Sequence, residues 1–263
     1  MLSSFHNARM MARIATSIIF TTFFAYGLPW ADAQNATAMP VVLEKTVDAA
    51  HTQNGAPVFA RTMQVVHLAN GTVIPRGAML EGKVVEASAF HFDSTPYAQQ
   101  KESILSIRFD RVVVSGSSLP LSAQLRAVAS PIDVEEARTP QYRDDPDSVG
   151  TRVLIGGEEI SGMEKKIRRN DGSVVGYERR DGDYARLLSS TSLSAAQKTL
   201  YCEASQTEQS IAVFSADACG VYDLSDLNIV NAGASSGTIV LSSERGSVRF
   251  PRGSAALLMV SLK

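Results

Sequence analysis

Cysteine, histidine and excess charge of either sign are scarce in this sequence. Its 263 residues include two cysteines and four histidines, with a net charge of −2 at pH 7. Two cysteines exclude a disulfide-dense small scaffold and a four-cysteine zinc module. The histidines show no H-E-x-x-H spacing, and the near-neutral charge leaves no electrostatic footprint for nucleic acid. We therefore expect no metal, no cofactor and no nucleic-acid partner.

Long hydrophobic runs are also missing after the first thirty positions. The N-terminus carries Arg9 and Arg13, then an apolar run over residues 14–28, then Ala31-Asp32-Ala33. This order is typical of a secretory signal peptide with an A-x-A cleavage site, so residues 1–33 are predicted to be removed. The alternative is a membrane anchor, but the run is shorter than the roughly 20 apolar residues that a span requires. We expect an exported protein that is periplasmic, outer-membrane-associated or extracellular, with no transmembrane segment in the mature chain.

The two cysteines, Cys202 and Cys219, both lie in the part predicted to be exported. In an oxidising compartment, a single pair at this spacing favours one disulfide. Closing such a loop contributes about 3 kcal/mol in the chain-entropy model. A catalytic or metal-binding thiol is the alternative, but it requires a C-x-x-C pair or a neighbouring histidine that the sequence does not show.

Alternating apolar and polar residues are the clearest structural signal. Leu105, Ile107 and Phe109 alternate with polar residues, and a second alternating run covers residues 119–125. A period of two predicts strands with one buried face. The connecting S-G-S-S of residues 115–118 predicts a hairpin turn. Asn70-Gly71 predicts another hairpin by the same reasoning.

The distribution of turn residues suggests how the chain is divided. Residues 34–129 are predicted to form a β-barrel-like domain, and residues 151–263 a C-terminal β domain with the disulfide. Between them, residues 130–150 contain three prolines and many charges without an apolar period, which predicts a linker. Residues 192–200 are the best helix candidate. The expected fold class is all-β, with two β units of barrel or sandwich type and at most one short helix.

Residues 41–128 also carry a recognisable pattern, V-I-P-x-G-x-x-L-x-G-x-V, then L-x-I-x-F-D-R, then G-x-x-L-P-L. The residues that carry it are Ile74, Pro75, Gly77, Leu80, Gly82, Val84, Leu105, Ile107, Phe109 and Leu119 to Leu121. The pattern resembles the β-barrel domain of TrbI-like channel proteins of type IV secretion. That family places a cytoplasmic tail, an inner-membrane helix and a Pro-rich stalk before the barrel, whereas this chain has the signal-like segment. The resemblance implies a barrel fold in a cell-envelope protein.

A second resemblance covers the whole mature chain. The stretch V-F-S-A-D-A-C-G-V-Y-D-L and the ending R-G-S-A-A-L-L-M-V-S-L are similar to secreted proteins of acidobacterial type. This resemblance implies export and a bacterial source.

Two groups of residues are candidate binding residues. His91 and Asp93 lie in a long loop, residues 88–101, that is expected to project from the fold. Lys165, Lys166, Arg168 and Arg169 form a basic run that could bind an anionic surface, although a charged strand end is the simpler interpretation.

No catalytic residue is predicted. The G-x-S-x-G match at residues 233–237 lacks a following helix and a later histidine, both of which a nucleophile elbow requires. The function that the sequence favours is an exported, non-enzymatic structural, scaffolding or binding module of the envelope. Its partners would be other envelope proteins or a second copy, meeting through exposed strand edges. The alternative is a secreted hydrolase acting on a glycan or peptide with loop carboxylates. Converging acids in a concave pocket would favour that alternative.

Overall fold

A computed structural model describes most of the chain. The described residues are 36–92, 100–142, 150–190, 202–224, 226–230 and 237–263. They belong to one compact unit. The predicted signal peptide and the helix candidate at residues 192–200 lie outside them.

The first half of the chain consists of eight strands and one helix. The strands are β1 (Thr37–Leu43), β2 (Val47–Asp48), β3 (Pro57–Thr62), β4 (Val66–His67), β5 (Val73–Ile74), β6 (Met79–Ser88), β7 (Ser103–Val114) and β8 (Ser117–Ala129). The helix α1 spans Pro131–Arg138. Both predicted hairpins are present, since β4 pairs with β5 and β7 pairs with β8. The loop of the second is Ser115-Gly116, and both residues have positive φ (49° and 80°), as a two-residue turn that matches the strand twist requires.

The second half contains eleven strands. They are β9 (Thr151–Val153), β10 (Glu159–Ser161), β11 (Lys166–Arg168), β12 (Val174–Arg179), β13 (Gly182–Arg186), β14 (Glu208–Ser210), β15 (Gly220–Tyr222), β16 (Asn228–Val230), β17 (Ile239–Ser243), β18 (Arg249–Phe250) and β19 (Ala255–Leu262). Strands β9 to β14 form a six-stranded antiparallel sheet in chain order.

Six strands close into an antiparallel barrel in the order β1, β3, β6, β7, β8, β19 and back to β1. Strand β17 adds to the first part of β7, and β15 runs parallel to the end of β8. The barrel interior is filled by apolar residues such as Leu80, Leu105 and Leu258, all with 0% exposure. Burying each such side chain contributes about 1.5–3 kcal/mol. The all-β prediction, with one short helix, is confirmed for the described residues.

The barrel also buries part of its outer surface. Along β19, Ala256, Leu258 and Val260 belong to the interior cluster, while Ala255 and Leu257 belong to a second cluster that includes residues of the six-stranded sheet and α1. Alternate residues of a strand point to opposite faces. The two clusters therefore lie on either side of β19.

The strand pairing differs from the predicted domain division at residues 130–150. Strand β19, near the C-terminus, pairs with β1 and β8, so strands from both sides of that division build the barrel. Strands β1 and β19 are more than 200 residues apart in the sequence, so no local pattern indicates that they pair. Part of the predicted linker is also helical: Ser130 caps α1 by accepting a hydrogen bond from the Asp133 N–H (3.1 Å), and Pro131 occupies the first turn. These are favourable helix-start signals that the proline content obscured.

Among the described residues, the structure contains no helix with the length and apolarity needed to cross a membrane.

Candidate functional site

A concave groove of about 430 Å³ lies where the barrel, α1 and the six-stranded sheet meet. Its charged lining consists of five arginines and three acids. They are Arg76, Arg138, Arg152, Arg179 and Arg180, with Glu178, Asp181 and Asp183. We call this site the arginine groove.

Arg152 is the one guanidinium that the groove's acids hold in place. Its two terminal nitrogens donate to both Asp183 carboxylate oxygens at 3.0 to 3.1 Å, and Nη2 lies 3.5 Å from Glu178 Oε2. Burial raises the pKa of Asp183, and the Arg152 charge opposes that rise. The pair therefore fixes Arg152 through a bidentate, charge-assisted contact.

This ion pair also shows that the six-stranded sheet is curled. Arg152 lies on β9 and Asp183 on β13, which are four strand spacings apart in the sheet order. In a flat sheet that distance is about 19 Å at 4.7–4.9 Å per spacing. Direct contact is possible only because the sheet curves and brings the two strands toward each other.

Three other arginines of the groove have a different setting. Within the part of the chain that the structure describes, the guanidiniums of Arg76, Arg138 and Arg180 form no ion pair or hydrogen bond. All three residues are exposed. The groove therefore presents cations that its own carboxylates do not neutralise.

The turn that carries Arg76 is fixed by Thr62 on β3. The Thr62 hydroxyl donates to the Pro75 carbonyl at 2.6 Å and accepts from the Ala78 N–H at 2.9 Å. Gly77 has a φ of 80°, a conformation that glycine adopts without the steric cost of a Cβ. Arg76 thus projects from a defined turn of the barrel.

The hairpin that carries Arg180 is held to the barrel by the buried side chain of Gln64. Its amide nitrogen donates to the Asp183 carbonyl (2.8 Å) and to Ser210 Oγ (2.6 Å), and its oxygen accepts from the Asp183 N–H (2.9 Å). Gly182 makes this close approach possible, because a Cβ there would lie 2.5 Å from Gln64 Cδ. Gln64 therefore sets the distance between the hairpin and the barrel.

Two side-chain contacts border the groove and separate it from a second pocket. His67 Nε2 lies 3.3 Å from Asp181 Oδ2, and Arg179 pairs with Glu208. The Arg179 guanidinium also lies 5.6 Å from the centre of the Tyr184 ring, within cation–π range.

The second pocket has a volume of about 750 Å³. His67 and Glu208 line one part of it, while Leu187 and Met259 supply apolar surface. Its carboxylates include Glu208, which the Arg179 pair already engages.

A buried arginine lies beneath these surfaces. Arg126 has 0% exposure and is the extra residue of a β-bulge in β8, opposite Leu257 and Leu258. A bulge re-aims a side chain out of the regular alternation, and here the guanidinium reaches main-chain carbonyls. Its acceptors are the carbonyls of Leu188 (2.6 Å), Glu203 (2.7 Å), Ala218 (3.0 Å) and Ala216 (3.4 Å). Burial lowers the pKa of Arg126 to about 10, so it stays protonated at neutral pH.

Glu158 is a buried acid that contacts the same segment, through the main chain of Ala216. Burial raises its pKa to about 7, helped by the nearby Asp217 charge and opposed by the Ala216 hydrogen bond and the Arg169 charge. Its Oε2 accepts from the Ala216 N–H at 2.8 Å, while Oε1 is buried without a hydrogen-bond partner among the described residues. A carboxyl group with this pKa could transfer protons at neutral pH. The residue is only 3% exposed, which keeps it from a substrate in this conformation.

None of the described residues that the sequence predicted for binding is part of the arginine groove lining, although Lys165 pairs with its Glu178. His91 is exposed, and its main chain forms an isolated antiparallel β-bridge with Lys101. Asp93 lies outside the described residues. The basic run is engaged in ion pairs: Lys165 with Glu178 (3.6 Å), Lys166 and Arg168 with Glu164, and Arg169 with Asp171 (3.7 Å) and Asp217 (3.9 Å).

Cys202 and Cys219 have their sulfur atoms at bonding distance and their Cα atoms 5.8 Å apart. That Cα separation lies within the usual disulfide range. Among the described residues, no group of three or more His, Cys, Asp or Glu side chains is positioned to hold a metal ion.

Sequence reasoning did not identify the arginine groove. The three arginines for which the described part of the chain supplies no partner come from positions 76, 138 and 180, which share no motif or spacing. The only local signal was Arg179-Arg180 before Asp181-Gly182, a turn with adjacent cations. The convergence of these residues depends on how the sheet and helix pack on the barrel.

Comparison of the chain with models of protein families, with curated proteins and with solved structures finds no match.

Proposed function

We propose that this protein is an exported, non-enzymatic module of the bacterial cell envelope that binds an anionic ligand through the arginine groove. The single observation that carries the proposal is the set of three arginines, Arg76, Arg138 and Arg180, that face one groove without an acid partner among the described residues. Export is proposed from the signal-like residues 1–33, and the cysteine pair at bonding distance supports an oxidising compartment.

The chemistry of arginine favours binding over catalysis. The guanidinium keeps its proton at any physiological pH, so it does not serve as a general acid or base there. Its planar fork suits carboxylate and phosphate oxygens. The acids of the groove are already engaged, because Asp183 and Glu178 contact Arg152 and Asp181 contacts His67. These contacts support a role for the acids in positioning the site.

The test uses two variants with the same change in net charge. The first replaces Arg76, Arg138 and Arg180 with glutamine. The control replaces Arg186, Arg249 and Arg252 with glutamine, since these exposed arginines lie outside the groove. Calorimetric titration with inorganic tripolyphosphate at low salt should show binding by the wild type and the control, and loss of binding in the groove variant. Equal binding by all three proteins would refute the proposal.

The second candidate is a secreted hydrolase acting on a glycan or peptide, and the pKa of Glu158 favours it. A carboxyl group that titrates near 7 could act as a general acid or base if a movement exposed it. Activity screening on glycan and peptide substrates, with Glu158→Gln as the inactive reference, distinguishes this candidate. Turnover that the substitution abolishes would replace the binding proposal.

A further inference from the structure

The three arginines that have no partner among the described residues come from three separate structural elements. Arg76 belongs to the turn between β5 and β6 of the barrel region, Arg138 ends α1, and Arg180 lies in the hairpin between β12 and β13. A ligand that meets all three must therefore contact the barrel, the helix and the second sheet at once. The groove volume of about 430 Å³ falls in the range of ligand pockets, roughly 300–1,000 Å³.

The charge of the lining indicates how much negative charge a ligand would bring. Five guanidinium cations face three carboxylates, which leaves an excess of two positive charges. Arg152 already contacts Glu178 and Asp183, so the excess is carried by residues other than Arg152. Glu208, which lies outside this lining, already engages Arg179, so the positive charge left for an external ligand is carried by Arg76, Arg138 and Arg180.

The elements that carry these arginines are fixed before a ligand arrives. Thr62 holds the Arg76 turn, and Gln64 clamps the hairpin of Arg180 against the barrel. The helix that ends in Arg138 is closed by Thr139, whose N–H donates to the carbonyls of Glu135 and Glu136. A preformed backbone lowers the ordering cost of binding and favours ligands whose charged groups match its spacing.

We propose that the arginine groove recognises a ligand that carries at least two phosphate or carboxylate groups, one contacting the barrel side through Arg76 and another contacting Arg138 or Arg180. This inference rests on the proposed function and specifies its ligand class. A ligand with two anionic groups can contact two of the three arginines at once, because these arginines lie on separate elements that line one groove. The same chemistry can come from a soluble polyanion or from anionic lipid headgroups.

The experiment compares inorganic phosphate with inorganic tripolyphosphate at equal ionic strength. Wild-type protein should bind tripolyphosphate at least tenfold more tightly than phosphate. Arg76→Gln, and at least one of Arg138→Gln and Arg180→Gln, should weaken tripolyphosphate binding about tenfold, as the loss of one charge-assisted contact worth about 1.4 kcal/mol implies. Arg252→Gln is the matched single control and should bind as the wild type does.

The outcomes separate the inference from the proposed function. Equal affinity for phosphate and tripolyphosphate, lost in the groove variants, overturns the multivalent ligand and leaves anion binding intact. Binding that depends on only one of the three arginines overturns it as well. Failure of the wild type to bind phosphate, tripolyphosphate or anionic vesicles overturns both.

A vesicle arm identifies the source of the anionic groups. Sedimentation with phosphatidylglycerol vesicles, compared with phosphatidylcholine vesicles, measures headgroup binding. Sedimentation that requires the three arginines supports the inference with lipid headgroups as the source. Tripolyphosphate binding without sedimentation supports it with a soluble polyanion as the source.

Discussion

Replacing Arg126 with methionine tests whether the buried guanidinium organises the chain around the cysteine pair. The carbonyls that accept from it include those of Glu203, Ala216 and Ala218, inside the segment between Cys202 and Cys219. Another belongs to Leu188, just after β13. One side chain thus connects the bulge of β8 to two other parts of the chain.

The expected cost follows from the groups that the substitution would leave behind. A buried carbonyl without a donor costs about 1–3 kcal/mol. Removing the guanidinium also removes its own desolvation penalty, which its lowered pKa reflects. Several carbonyls that lose this donor, set against the relief of the guanidinium's desolvation, give a net cost of roughly 3 kcal/mol. We expect Arg126→Met to lower the free energy of unfolding by about this amount.

Urea unfolding of the oxidised protein provides the measurement. The control is Arg108→Met, whose guanidinium donates to Asp110 at 2.9 Å while the two side chains are 36% and 42% exposed. An exposed pair of this kind contributes about 0–1 kcal/mol. If Arg126→Met and Arg108→Met shift the midpoint equally, the carbonyl network does not carry the stability assigned to it.

Three further predictions address the core, the cysteines and the buried acid. Phe109→Ala, at a 2% exposed barrel position, should lower the free energy of unfolding by about 3–5 kcal/mol, while Asp110→Asn should change it by only about 0.5 kcal/mol. Urea unfolding of both variants measures the two changes. Equal losses of unfolding free energy would mean that Asp110 is structurally engaged. Thiol labelling of denatured, unreduced protein should find Cys202 and Cys219 both blocked, and two labelled thiols would contradict the disulfide. Because burial raises the folded-state pKa of Glu158 from 4.5 to about 7, its contribution is fully present below pH 4.5 and is lost as pH rises to about 7. Glu158→Gln should therefore reduce the fall in unfolding free energy between pH 5 and pH 8 by up to about 3 kcal/mol, and an unchanged pH profile would show that the carboxyl group does not titrate in this range.

The hairpin of β7 and β8 shows what local sequence predicts well. Leu105, Ile107 and Phe109 are buried in the barrel as their alternation indicated, and Ser115-Gly116 forms the turn. Period-two alternation depends only on neighbouring residues, because each strand sets its own two faces. Burial on the outer face of this hairpin was less predictable, because Ser106 is polar yet only 4% exposed.

The closure of the barrel and the position of the second sheet could not be predicted in the same way. The pairing of β19 with β1 joins residues such as Val260 and Thr37, which are separated by most of the chain. The helix at 131–138 was missed because its prolines and charges were interpreted as a linker, although Ser130 and Pro131 are standard start signals.

The sequence by itself determined the all-β class, the strand faces, the hairpin turns and the expected pairing of Cys202 with Cys219, because each depends on local periodicity, turn chemistry or a count of residues. Tertiary structure alone decided that strands from both ends of the chain close one barrel. It also decided that Arg126 is buried among carbonyls and that Arg76, Arg138 and Arg180 face one groove. The physical reason is that burial and charge proximity depend on distances in space, and in a sheet built from distant segments those distances bear no relation to position along the chain.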